Sequence, residues 1–96
     1  MYEENIVTSL ACRYPAVEID EIALIVKHFL PPISAPGSVH RNASQATAKS
    51  AEHWDRKFLI AFNDGKKEEA IRADNLADIF REVSRLADVE AKLKDY

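Results

Sequence analysis

Cysteine and tryptophan each occur once in this 96-residue chain, and glycine only twice. With Cys12 alone there is no internal disulfide and no cysteine-based structural zinc site. Cys12 follows Leu10 and Ala11 in a helical pattern, so a buried, inert thiol is expected; only Arg13 adjoins it as a cation. Gly37 and Gly65 are too few and too far apart to form a phosphate-cradling loop. Long apolar runs are missing too. The longest, from Ile22 to Val26, falls far short of the ~20 residues that span a bilayer, so no membrane association is expected. The start, Met1-Tyr2-Glu3-Glu4, is acidic where a secretory signal is basic, which makes the cytoplasm the expected compartment.

The histidines, His28, His40 and His53, stand far apart, with no zinc-motif spacing. Ser34, Ser38 and Ser44 lack the context of an activated nucleophile. Glu52-His53-Trp54-Asp55 mixes useful groups, but four consecutive residues cannot converge on one point in a helix or a strand. The expectation is therefore of no enzyme, no catalytic residue, no cofactor, no metal and no small-molecule substrate.

Charge of one sign is also lacking. The formal net charge is −3 with 30% of residues charged, an ordinary soluble surface. Its distribution is uneven. Residues 1–39 hold two basic groups and five acids, residues 40–72 seven and five, and residues 73–96 four and six. The basic side chains Arg41, Lys49, Arg56, Lys57, Lys66, Lys67 and Arg72 thus collect in the middle, interleaved with Glu52, Asp55, Asp64, Glu68 and Glu69. That interleaving opposes a continuous phosphate-binding face.

What the chain does have is helical periodicity at both ends. Ile6, Val7, Leu10, Ala11 and Tyr14 recur at three and four and predict a short helix ending before Pro15. A second helix is expected to start between Pro15 and Asp20, with Asp20 as a candidate N-cap, and to stop at Pro31-Pro32. It is apolar nearly all round, so it is expected to be the most buried element. The last quarter predicts a long amphipathic helix capped by Asp74, with a stripe of Leu76, Ile79, Val83, Leu86 and Leu93 widened by Phe80 and Ala87.

Between these ends the pattern is ambiguous. At helical period, Ala51, Trp54, Phe58, Ala61 and Phe62 share a face, and Gly65 ends the helix. At period two, Trp54, Phe58, Ile60 and Phe62 alternate, Asn63-Asp64-Gly65-Lys66 is a turn, and Lys67 to Ala73 return as a second strand. The turn chemistry favours the hairpin. The expected fold is therefore α+β and mostly helical, with an N-terminal helical hairpin, a β-hairpin around Asn63–Gly65 and the long C-terminal helix. The alternative is an all-α four-helix bundle. One domain is expected, made of a helical hairpin over residues 3–30, a loop over 31–43 and a C-terminal half over 44–96.

For function, the composition fits a small non-enzymatic protein-interaction domain, in the manner of an acidic inhibitor, immunity or antitoxin-like protein bound to a protein target. Glu3, Glu4, Glu18, Asp20, Glu21, Asp74 and Asp78 are its candidate contacts, acting by charge complementarity, with Trp54 as an aromatic anchor or a core residue. A homodimer through the last helix is compatible with the stripe, although Glu90 interrupts its heptads. The alternative is a nucleic-acid-associated regulator using Arg41, Lys49, Arg56, Lys57, Lys66, Lys67 and Arg72.

Overall fold

Proline and glycine divide the chain into four helices. The computed structural model describes residues 2–95 as α1 (Tyr2–Arg13), α2 (Ile19–Phe29), α3 (Gly37–Asn63) and α4 (Lys67–Lys94). Met1, the first residue of the acidic start, lies outside the described residues. Pro15 separates α1 from α2, and Pro31-Pro32 end α2 by pushing Leu30 into extended backbone (φ −98°, ψ 112°). Pro36 precedes α3, so the expected loop over 31–43 is confined to 31–36. Lys94 Nζ donates to the carbonyls of Ile33 and Ala35, which ties this loop to the end of α4, and Arg41 of α3 pairs with Asp95 beside it.

The expected α+β class and its β-hairpin are overturned: no strand occurs among the described residues, and a helical bundle is what forms. Asn63-Asp64-Gly65-Lys66 does reverse the chain, but as a helix C-terminus. Lys66 N–H donates to the Ala61 carbonyl (2.9 Å) and Gly65 N–H to that of Phe62 (3.2 Å), with Gly65 at φ 74°. This is the Schellman arrangement, which uses the same Asn-Asp-Gly chemistry as a strand turn. Residues 67–73 then continue as helix, with Glu68 and Glu69 at its positive end. Asp74, expected as the cap of the last helix, lies two turns inside it.

Two small-residue rows hold α3 against α4. Along α4, Ala70, Ala77, Ser84 and Ala91 recur every seven residues, and Ala73, Phe80 and Ala87 fill the intervening positions. The alanines among them are at most 4% exposed. On α3 the facing rows are His40, Thr47, Trp54 and Ala61, with Ser44, Ala51 and Phe58 between them. Ser84 Oγ donates to the Ser44 carbonyl (2.8 Å), which fixes the register of this antiparallel pair. Thr47 Oγ1 returns its proton to the Ala43 carbonyl (2.7 Å), so its burial leaves no orphan hydroxyl.

The other flank of α4 presents Leu76, Ile79 and Val83 to α1 and α2, which contribute Leu10, Ile22, Ile25, Val26 and Leu30, with Val17 from the turn between them. Phe29 and Phe80 meet edge to face at 5.2 Å. The most buried helix is therefore α4, not α2. Ile19 and Leu24 of α2 stand 52% and 56% exposed because α1 and α4 cover only part of its circumference. Leu93, expected in the buried stripe, is also exposed, and so is Cys12. No helix among the described residues is long and apolar enough to cross a membrane.

Helix lengths decide what remains uncovered. At 27 and 28 residues, α3 and α4 run ~40 Å each, whereas α1 and α2, at 12 and 11 residues, span only ~16–18 Å. A short two-helix layer thus rests on a long hairpin, in a molecule of 47 × 24 × 16 Å. No residue from 55 to 75 belongs to the central core cluster.

Candidate functional site

Trp54 marks the edge of the covered region. It is half-buried and packs against the core cluster, with Lys57 Nζ 5.8 Å and the Arg72 guanidinium 5.9 Å from the ring centroid. His53 meets the indole edge to face at 5.5 Å. Arg72 is held in place from α2, donating to both carboxylate oxygens of Glu21 (2.5 and 2.7 Å). Trp54, Lys57, Ile60, Glu69, Arg72 and Ala73 line an open cleft of about 330 Å³. Its volume sits at the lower bound for ligand pockets, and of its lining charges Arg72 is engaged by Glu21.

The structure disperses the acidic candidates. Glu3, Glu4 and Asp20 come together along the groove between α1 and α2, beside Lys27. Glu18 precedes α2 without a side-chain cap bond. Glu21 is engaged by Arg72, and Asp78 by Arg81. Asp74 lies exposed on α4, away from that groove. No single face presents all seven carboxylates.

The basic candidates are equally divided. Arg41 pairs with Asp95 at one end, and Lys57 and Arg72 flank Trp54. Lys49 and Arg56, seven residues apart, share an exposed face of α3, while Lys66 and Lys67 sit at the hairpin turn. Among the described residues no group of three or more His, Cys, Asp or Glu is placed to hold a metal.

Ion pairs shift a few groups, all on or against α4. The Arg81 guanidinium is raised above its ordinary value chiefly by its bond to Asp55, with Asp78 adding to it. The Arg85 bond holds the Glu82 carboxyl below its usual range, and Arg85 is raised in return. Burial, then the nearby Glu90 charge, pushes the Tyr2 phenol up.

The unexpected feature is the free end of the α3–α4 hairpin. Leu59, Ile60, Phe62 and Ile71 are 56%, 62%, 65% and 46% exposed. Phe58 and Phe62 stack obliquely at 5.8 Å, and with Ile71, Ala70 and Lys67 they line an apolar groove. Periodicity marks Phe58 and Phe62 as inward-facing, and at the level of Trp54 that face is indeed covered. Phe62 and Ile71 lie instead on the flank that also carries Asp55, Asp78 and Arg81, outside the central core cluster. Reading Lys67 to Ala73 as a strand hides this groove, because it takes Ile71 out of the helix that carries it.

Comparison with known protein families, with curated proteins and with solved structures finds no match for this chain.

Proposed function

We propose that the chain is a small, non-enzymatic, cytoplasmic protein-interaction module whose docking surface is the free end of the α3–α4 hairpin. One observation carries this reading: Leu59, Ile60 and Phe62 of α3 and Ile71 of α4 stand about half or more exposed around the hairpin end, outside the central core cluster. A fully exposed side chain of this size presents ~150–200 Å². Together the four offer roughly 400 Å², with Ile60 on the Trp54 side of the hairpin end and Phe62 and Ile71 on the other. Their charged rim, with Arg56, Lys57, Lys66, Lys67 and Glu68 nearby, resembles the surround of an interface core. Charge complementarity from Glu3, Glu4 and Asp20 is a secondary contribution in this reading. The dispersed cations argue against a nucleic-acid surface.

A photo-crosslinking residue at position 62, compared with one at position 49, tests the proposal in extract of the native cell. Discrete protein adducts are expected from position 62 and not from position 49. Equal labelling, or adducts from position 49 alone, would refute it.

A further inference from the structure

We infer that the occupant of this end is a second copy of the chain, laid antiparallel across the groove of Phe58, Phe62 and Ile71. This rests on the reading of the hairpin end as a docking surface and adds its partner. The argument comes from the placement of charge. Lys67, Ile71 and Asp74 follow one another at four and three on the same flank of α4. Lys67 and Asp74 are two turns apart, about 10 Å along the axis, with Ile71 between them. Both are exposed, and neither forms an ion pair among the described residues, whereas Asp55, Asp78 and Arg81 on this flank are paired together.

A twofold axis lying in the interface, perpendicular to the helices near the level of Ile71, reverses the direction of α4. It sets Lys67 of one protomer opposite Asp74 of the other, and the symmetry repeats the pair. The same operation sets the two Phe58 rings near the axis, while Phe62, level with Lys66 in the Ser44–Ser84 register, lies about 7 Å from it, over the α3 of the other protomer. A parallel arrangement would instead set Lys67 against Lys67 and Asp74 against Asp74. The flank is thus self-complementary in one orientation only, as a twofold interface requires. The apolar surface of Phe62 and Ile71 on this flank, roughly 200 Å² per protomer, is about a quarter of a standard interface, so the dimer is weak and concentration-dependent.

Light scattering and sedimentation equilibrium, from micromolar to near-millimolar protein, test this. The mass is expected to rise from 10.8 kDa toward twice that value. Lys67→Glu or Asp74→Lys alone should weaken dimerisation about tenfold, because each creates two like-charge contacts. The double variant Lys67→Glu/Asp74→Lys should restore it, and circular dichroism should show all three folded, since both positions are exposed. A constant mass of 10.8 kDa at every concentration would overturn the inference, as would a double variant no better than the singles. If position 62 still crosslinks a different protein while the mass stays monomeric, the self-pairing fails and the docking surface stands.

Discussion

Replacing Ala77 with leucine tests the small-residue packing of α3 on α4. Ala77 is fully buried, seven residues before Ser84 and fourteen before Ala91. Ser84 reaches Ser44, and the Ala91 carbonyl lies 3.5 Å from where a Cβ on Gly37 would stand, so this row faces α3. If there were room, the three added carbons of leucine would gain roughly 2 kcal/mol. Ala77 is fully buried between Ala70 and Ser84 of its own row and, in the Ser44–Ser84 register, level with Ala51 of α3, so a leucine there is expected to force the helices apart. Overpacking of this kind costs about 1–3 kcal/mol, so Ala77→Leu is expected to destabilise despite its greater hydrophobicity. With a urea slope of about 1–2 kcal/mol per M for a domain of this size, the midpoint should fall by roughly 1 M. Urea titration at low micromolar protein, followed by circular dichroism and by the fluorescence of the single tryptophan, measures it. Ala46→Leu, on the exposed face of α3, should stay within about 0.5 kcal/mol of the parent. Leu76→Ala, at 1% exposure, should lose about 2–5 kcal/mol. An Ala77→Leu protein as stable as the parent, or more so, would refute the close packing of the pair.

Two further expectations follow from single residues. Gly65 has φ 74°, and a Cβ added there would meet nothing within 4 Å, so Gly65→Ala should cost about 1 kcal/mol through backbone strain alone, or ~5 °C in thermal midpoint. Gly65→Asn should cost less, because asparagine tolerates that region. Glu82, held by Arg85, has its carboxyl below the ordinary 4.5, so its contribution is present above that pH and lost as pH falls through the lowered value. The stability gap between the parent and Glu82→Gln should therefore close in acid, and a gap that stayed constant from neutral pH down to about pH 3 would contradict it.

Two ion pairs tie distant parts of the fold together, one between the layers and one within the long hairpin. Glu21–Arg72 and Arg41–Asp95 clamp opposite ends of the molecule, and their side chains are 38–54% exposed, so each pair adds little to stability. Their effect is positional. Arg72 joins α2 to α4 beside Trp54, where the covered part of the hairpin ends and the apolar end begins.

Several features were determined by the sequence alone. Ile6 to Tyr14 and the prolines at 15, 31 and 32 mark α1 and α2, because proline cannot continue a helix and the residue before it leaves the helical region. The stripe of Leu76, Ile79, Phe80 and Val83 marks the buried flank of α4, and Gly65 marks the reversal between α3 and α4. The tertiary structure alone decided the rest. Asn63-Asp64-Gly65 suits a strand turn and a helix C-terminus equally, so the choice fell to whether residues 66–73 found a partner. As a helix they extend the alanine rows onto α3, whereas two strands alone are marginal in water. Hydrophobic periodicity does not reveal those rows, because alanine and serine carry little hydrophobic contrast, although their small size permits the close approach. Exposure of Phe62, Ile71 and Leu93 was likewise beyond local periodicity. A helix face reads as inward whether or not another helix packs on it, and Phe62 and Ile71 lie on a flank of the pair outside the central core cluster.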